Sequence, residues 1–189
     1  KEIYGDYPYA YNTIGQKNTV NKITRKDVLK FYKNNINIGN ASIVIISSLS
    51  KKEVIDIAEK ISKSLNSNVK ESFKEMVLAG INKEKHIYKK FSSEQAHIYI
   101  GGLSVERGSK NHLPLYVGNY IFGGSGFSAR LMQELRVKRG LTYGVYSYIH
   151  PMKNTGPFVI GIETKSEQAQ ESVELIHKML REFYKNGPT

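Results

Sequence analysis

Residues 122–148 decide the fold of this chain; they read FGGSGFSARLMQELRVKRGLTYGVYSY. Phe127, Leu131 and Leu135 lie four residues apart, which predicts a helix with one apolar face directed at a core. Arg130, Glu134 and Lys138, also four residues apart, would form a second, charged stripe along this helix. Two serines are placed to cap the unpaired N–H groups of the first turn, Ser125 and Ser128.

A tight reversal and a strand are predicted after this helix. Gly140 follows two basic residues and suits the left-handed conformation that ends many helices. Residues 143–149 then alternate with the period of two that is typical of a strand. Arg136 falls in the last helical turn and Tyr143 at the start of the strand, so we expect a guanidinium and a phenol to point into one cleft.

The same stretch resembles the C-terminal domain motif of the insulinase/pitrilysin family of zinc peptidases, which also includes inactive partner subunits and mitochondrial processing peptidase-like proteins. That motif reads roughly GG-x-x-x-S-R-L-x-x-x-L-R-x-x-x-G-L-x-Y. Ala129 stands where the family usually has a serine. Residues 7–15, YPYAYNTIG, resemble the family's H-P-Y-G…G loop, with Tyr7 in place of histidine. The positions that correspond to the motif are Gly123, Gly124, Arg130, Leu131, Leu135, Arg136, Gly140, Leu141 and Tyr143, with one residue more between Gly124 and Ala129 than this rough pattern has.

The resemblance implies an α+β fold, an antiparallel β-sheet with helices packed on one face. It also implies that Arg136 and Tyr143 bind the carbonyl of an unfolded peptide substrate and stabilise its oxyanion, and that Gly123 and Gly124 border the substrate chamber. Alternatively, Arg136 pairs with Glu134 or Glu163 while Tyr143 caps a sheet edge, and the glycines only permit a turn. A non-catalytic assembly or binding subunit is the alternative function.

Domain boundaries follow from the periodicity. We predict that residues 1–70 are the tail of a preceding N-terminal peptidase-like domain, that 71–83 are a linker, and that 84–189 form the C-terminal domain. In the first part, capping boxes at Thr24–Asp27 and Ser50–Glu53 predict two helices. The β-branched run at residues 42–46 predicts a strand buried on both faces.

The second part is predicted to contain further strands and a long final helix. Alternation predicts strands at residues 86–91 and 95–103, and a strand near 158–162. Thr164 is expected to cap the last helix toward Glu167. The apolar face of that helix is predicted to comprise Ala169, Val173, Ile176, Leu180 and Phe183.

The histidines do not form a metal motif. No two of the five lie within four residues, and the sequence contains neither H-x-x-E-H nor H-E-x-x-H. His86 and His97 could meet across two strands, but such a pair alone is more typical of packing. We therefore predict no metal site in this chain. The resemblance places zinc in a missing N-terminal domain or in a partner subunit, and so implies a dimer or a longer protein.

The amino-acid composition bears on the partners, the metal sites and the membrane association that this chain could have. The net charge is +11, from 28 basic and 17 acidic residues, but the lysines are scattered, so a nucleic-acid partner is not expected. The absence of cysteine excludes disulfides and thiolate metal sites, and no apolar run is long enough to predict a membrane span. A periplasmic location is what the resemblance implies, with the cytoplasm as the alternative.

Overall fold

The computed structural model describes residues 2–66, 78 and 83–188, which fall into two compact units. The larger comprises Lys1–Ala10 and Val77–Thr189, and the smaller comprises Tyr11–Met76. The first ten residues group with the C-terminal part of the chain, and the predicted assignment of residues 1–70 to a preceding domain stays a prediction. The predicted linker, 71–83, lies outside the described residues except for positions 78 and 83, and that boundary stays a prediction.

The smaller unit contains three helices, α1 (Lys17–Val20), α2 (Arg25–Asn35) and α3 (Lys51–Ser64). Both predicted capping boxes are confirmed: the Thr24 and Ser50 hydroxyls each accept from the N–H of the residue three positions on, and that residue's carboxylate accepts in return. These bonds satisfy donors that the first helical turn leaves unpaired.

The predicted strand at residues 42–46 is wrong, because this segment has no regular secondary structure and forms no ladder with any described residue. Val44 and Ile46 are almost fully exposed. A β-branched run favours extended backbone by itself, but a strand also needs a neighbour to take up its N–H and C=O groups. The composition of residues 42–46 indicates the preference for an extended backbone, but it cannot show whether a neighbouring strand is present.

The larger unit is built on an antiparallel sheet. Its described strands are β1 (Gln95–Leu103), β2 (Thr142–Ile149) and β3 (Pro157–Lys165), in the order β1-β3-β2. Helices α4 (His112–Asn119) and α5 (Ala169–Asn186) flank the β2–β3 hairpin in sequence. The predicted strand at 86–91 is wrong, since these residues form no ladder with the described chain.

Short helical turns complete the architecture. Two segments are π-helical, with wider turns than an α-helix. Tyr120–Gly124 continues directly from α4. Met132–Lys138 belongs to the helix that the sequence predicts before Gly140. The 3₁₀ turns are Pro8–Ala10, Ile38–Asn40, Gly126–Ser128 and Ser166–Gln168.

One face of the sheet packs against the helices and forms the core. The side chains that α5 contributes include fully buried Ile176 and half-buried Phe183, as predicted. The expected α+β fold, with helices on one face of an antiparallel sheet, is therefore confirmed. The buried apolar residues of this core are Phe122, Ala129, Leu131, Met132, Leu135, Leu141, Val145, Ile160, Ile162 and Ile176.

Thr164 does not cap the last helix, contrary to the prediction. It is the penultimate residue of β3, is buried, and donates its hydroxyl proton to the Leu141 carbonyl at 2.6 Å. Helix α5 begins five residues later, after a 3₁₀ turn, and its N-cap Gln168 makes no side-chain capping bond. Because the hydroxyl is enclosed by the sheet, it satisfies a core carbonyl instead of a helix terminus.

The N-terminal tyrosines attach the first ten residues to the larger unit. The Tyr4 hydroxyl donates to the Thr155 carbonyl, and Tyr7 and Tyr9 hydroxyls contact Asn154. The three rings pack with centroids 5.0–6.3 Å apart. Burial, with the neighbouring phenols adding to it, raises the pKa of Tyr4 to about 12.

Candidate functional site

The glycine loop, residues 123–126, joins the two π-helical segments. Gly123 is buried, and a Cβ at this position would overlap the Ser147 hydroxyl and lie 2.8 Å from a Leu131 methyl group. The loop therefore approaches β2 more closely than any other residue type permits. This packing accounts for Gly123; a substrate contact by Gly123 or Gly124 stays a prediction.

A partly buried polar pair, Asn119 and Ser147, holds the end of α4 against the strand β2. The Ser147 hydroxyl donates to the Asn119 side-chain carbonyl at 2.7 Å, and the Asn119 amide donates back to the Ser147 carbonyl at 3.1 Å. Since both polar groups are satisfied without water, the end of α4 is fixed to the middle of β2.

The helix predicted before Gly140 presents Leu131 and Leu135 to the core, as expected. Leu131 and Leu135 are both completely buried. Gly140 ends the helix with a φ of +64°, which confirms the left-handed stop. The Gly140 N–H donates to the Arg136 carbonyl and the Leu141 N–H to the Leu135 carbonyl, so the chain reverses within three residues.

Phe127 does not share the face of these leucines. Gly126 has a φ of +65° and Ala129 is extended, so residues 126–128 form a separate turn and the Phe127 ring is 62% exposed. The periodicity alone favoured an uninterrupted helix through Phe127. The serines form no cap either: Ser128 donates its hydroxyl proton to Ser125.

Tyr143 lies in an irregular step of the β2–β3 ladder. Thr142 pairs with Thr164 and Gly144 with Glu163, so Tyr143 has no partner on β3. Such a bulge redirects the side chain; Tyr143 is 85% exposed, whereas Val145 and Ser147 are buried as expected. The period of two predicted for residues 143–149 would place Tyr143 on the same face as Val145 and Ser147, and the bulge makes this wrong for Tyr143. The Thr142 hydroxyl stabilises the bulge by accepting from the Gly144 N–H at 2.9 Å.

The structure brings Arg136 to Tyr143 through the backbone. A terminal guanidinium nitrogen of Arg136 donates to the Tyr143 carbonyl at 2.7 Å. The guanidinium carbon also lies 4.6 Å from the centre of the Phe127 ring, a cation–π contact that the sequence did not reveal. Arg136 thus ties the end of the helix, the glycine loop and the bulge together.

The alternative pairing of Arg136 with an acidic residue is not observed among the described residues. Glu134 binds Lys138 and Arg139, each at 2.9 Å, and Glu163 lies 3.3 Å from His97. The hydrogen bonds from Lys138 and then Arg139 hold the pKa of the Glu134 carboxyl below its ordinary value. Arg136 keeps its charge uncompensated by a carboxylate of the described chain, with further N–H donors beyond the one bound to Tyr143.

This arrangement can donate hydrogen bonds to an anionic oxygen. A guanidinium provides a permanent charge in a planar fork, and an exposed phenol adds one O–H. Across residues 2–66, 78 and 83–188, no group of three or more His, Cys, Asp or Glu side chains is placed to hold a metal ion. The described residues therefore do not form a zinc site.

None of the helices that the structure describes has the length and hydropathy of a membrane-spanning segment.

Comparison with known proteins places this site in a family context. The family described as "Peptidase M16 inactive domain" matches residues 22–189. Among curated proteins, the chain is 28% identical to the "Uncharacterized zinc protease YmxG" of Bacillus subtilis, over all of this chain and 45% of that protein. It is 27% identical to the "Non-peptidase homolog YmxG" of Helicobacter pylori, over all of this chain and 43% of that protein.

Solved structures agree on the fold. The peptidase M16 inactive domain from Pseudomonas fluorescens superposes with a TM-score of 0.85 at 33% identity, covering 100% of this chain and 45% of that one. A protease from Helicobacter pylori gives a TM-score of 0.83 at 18% identity, over 99% of this chain and 46% of that one, and so supports the fold alone. The chain spans less than half the length of each of these four proteins.

Proposed function

The chain belongs to the peptidase M16 inactive-domain family, which confirms the resemblance to insulinase/pitrilysin peptidases, and we propose that it is the substrate-binding C-terminal portion of a zinc endopeptidase. In this proposal Arg136 and Tyr143 bind the carbonyl of the scissile peptide. The zinc-bearing region is an N-terminal domain of a longer protein or a partner subunit, and the substrate is an unfolded peptide.

One observation carries the proposal: the hydrogen bond from Arg136 to the Tyr143 carbonyl within a bulged strand. It uses one donor of the guanidinium and fixes the position of the residue that bears the phenol. The phenol itself points away from the core and is available to a ligand. A structural arginine would instead be expected to meet a carboxylate, and none of the described ones is within 4 Å of it.

The chemical role follows from charge development. When a nucleophile attacks a peptide carbonyl, the oxygen becomes negative, and fixed donors aimed at that oxygen lower the barrier. Arg136 supplies a donor that stays charged throughout the working pH range. Tyr143 supplies a neutral donor on an adjoining strand. Phe127 packs on the guanidinium face and limits its motion, which makes it a positioning residue.

Kinetics of the full-length protein test the role of Arg136. We expect Arg136→Lys to lower kcat on an unstructured peptide by about a hundred- to a thousandfold, because an ammonium cannot reproduce the planar donor set. KM should change little, since the contact strengthens only in the transition state. Arg139→Lys is the matched control on the same helix, because Arg139 pairs with Glu134. Wild-type kcat in Arg136→Lys would remove this role.

A second candidate function is a non-catalytic binding subunit. It is favoured by the Helicobacter pylori relative, whose name describes a non-peptidase homolog. In that case the full-length protein would bind an unstructured peptide without cleaving it, and Arg136→Lys would weaken the binding itself. Zinc analysis beside the peptide assay separates the two: one bound zinc with turnover supports the first function, and neither with binding retained supports the second.

The smaller unit supports the need for a partner. Most of its large apolar side chains are exposed, including Phe31 at 63% and Ile46 at 95%. We propose that the rest of the longer protein, or a partner subunit, covers this surface and pairs with the segment 42–46 as a neighbouring strand. Hydrogen exchange should be fast at amides 43–46 in the isolated chain and slow in the full-length protein; slow exchange in the isolated monomer would contradict this. A periplasmic location stays part of the proposal.

A further inference from the structure

The open face of the sheet, opposite the helices, carries an unusual set of aromatic side chains. Tyr99 on β1 and Tyr146 on β2 both pair with Gly161 on the central strand, so they lie in one row across the sheet. Tyr148 follows on the same side of β2. Their exposed fractions are 68%, 45% and 44% for Tyr99, Tyr146 and Tyr148. These rings are absent from the core and from the proposed carbonyl site.

Gly161 explains how Tyr146 is oriented. A Cβ at Gly161 would lie 2.5 Å from Cζ and 2.6 Å from the hydroxyl oxygen of Tyr146. The ring therefore lies across the central strand, in the space that a side chain at residue 161 would occupy, and it stays 45% exposed. The Tyr148 ring is nearly parallel to it, at 17° with centroids 6.2 Å apart. Together with Tyr99 they form what we call the tyrosine platform.

The charges beside the tyrosine platform differ from those of the chain as a whole. The chain has a net charge of +11, yet the ionised group nearest the platform along β3 is the Glu163 carboxylate, two residues or about 7 Å from Gly161. Glu163 has a side chain 60% exposed and faces His97 at 3.3 Å. Lys165, on the same side, lies a further two residues away at the end of the strand. Ring faces and a carboxylate both attract cations.

We propose that the tyrosine platform binds an arginine or lysine side chain of the peptide substrate, with the cation over the rings of Tyr146 and Tyr148 and its charge toward Glu163. The inference rests on the proposed function and assigns a basic residue to the substrate. A single-stranded nucleic acid would also stack on such rings, but its phosphates require cations beside them, and the ionised group that follows the tyrosine platform along β3 is the Glu163 carboxylate, an anion.

Binding of two labelled peptides tests the platform in the full-length protein. The peptides have the same unstructured sequence and differ by one residue, arginine or its neutral isostere citrulline. We expect the arginine peptide to bind about three- to tenfold more tightly, from a cation–π contact and a solvent-exposed ion pair. Equal affinities would overturn the proposal.

Three variants assign the preference to individual groups. Tyr146→Leu and Glu163→Gln should each bring the affinity ratio closer to one, and Tyr146→Phe should keep it, because phenylalanine retains the ring face. Gly161→Ala should bring the affinity ratio to one, because the added methyl group displaces the Tyr146 ring. Circular dichroism checks that this variant folds, and if it does not fold, the substitutions at Tyr146 and Glu163 alone test the platform. An unchanged ratio of arginine-peptide to citrulline-peptide affinity in both Tyr146→Leu and Glu163→Gln would overturn the proposal. Competition with an oligonucleotide would overturn it too, if the oligonucleotide displaces the peptide from the wild-type protein but not from Tyr146→Leu.

The binding measurement requires no hydrolysis, so the two proposals fail separately. A lost arginine preference with turnover intact would refute the tyrosine platform alone. A retained preference in a zinc-free protein that cleaves nothing would refute the peptidase role alone and leave a peptide-binding subunit.

Discussion

The two units of this chain use the same local signals with different outcomes. In the larger unit, Leu131, Leu135, Ile160 and Ile176 are completely removed from solvent. In the described part of the smaller unit, Asn37 is the one residue classed as buried, although its helices have well-formed caps and apolar faces. Capping and periodicity are sufficient to form a helix, but a core forms only where a sheet covers the apolar face.

The first prediction measures this difference directly. Leu135→Ala should lower the free energy of unfolding by about 2–5 kcal/mol, because it leaves a cavity in a core that has no access to solvent. Ile57→Ala on α3 is the matched control: its side chain is already 37% exposed, so we expect a loss below about 1 kcal/mol. Chemical denaturation of both variants provides the values, and equal losses would contradict the contrast.

Close packing around the glycine loop gives the next largest effect. Gly123→Ala should destabilise the larger unit by about 1–3 kcal/mol, since the new methyl group collides with Ser147 and Leu131. Gly102→Ala, in β1, is the control because no atom lies within 4 Å of its added Cβ. Thermal unfolding should separate the two; a neutral Gly123→Ala would mean that the loop is not constrained.

Loss of a helix cap tests the smaller unit. Thr24→Ala removes the hydroxyl that accepts from the Asp27 N–H and should cost about 1 kcal/mol. Because α2 has no buried residue, this loss should appear as faster hydrogen exchange along α2 without a change in the larger unit. Thr13→Ala is the control, because Thr13 is exposed in a turn of the same unit and lies outside its helices. Exchange rates that are unaffected in Thr24→Ala would show that packing, not capping, stabilises this helix.

The smallest effect is the pH dependence of the Glu134 ion pairs. The pKa of Glu134 is lowered in the folded protein, so its contribution is present above the ordinary carboxyl pKa and is lost as pH falls through the lower folded value. Glu134→Gln should therefore cost about 0.3–1 kcal/mol at pH 7 and nothing at a pH below that folded value. A difference that grows on acidification would reverse this sign.

The sequence predicted what local chemistry controls. Both capping boxes, strand β1, the face of α5 and the left-handed stop at Gly140 were all correct, because each depends on residues within one turn or one strand. The family was also recognisable from residues 122–148, whose spacing is fixed. Errors arose where a distant neighbour decides the outcome: the segment 42–46 has no partner strand in the described chain, and Thr164 bonds across the sheet to Leu141.

The candidate site was predictable in part for the same reason. Arg136 and Tyr143 were identified by spacing, and their contact follows from the reversal at Gly140. The bulge that exposes Tyr143 depends on the register with β3, and the contact of Phe127 with Arg136 depends on the separate turn at residues 126–128. Neither is encoded in a periodic pattern. The tyrosine platform likewise requires the register that places Gly161 between two rings.

In the proposed function, Tyr143 donates a hydrogen bond to the substrate oxygen as negative charge develops there. Tyr143→Phe deletes only the hydroxyl of an exposed side chain, so folding and zinc content of the full-length protein should be unchanged. Tyr184→Phe, on α5 and similarly exposed, is the control. Steady-state kcat on an unstructured peptide should fall by about a hundred- to a thousandfold in Tyr143→Phe and remain at the wild-type value in Tyr184→Phe. Wild-type kcat in Tyr143→Phe would refute the proposed role of Tyr143 and leave this chain without a catalytic phenol.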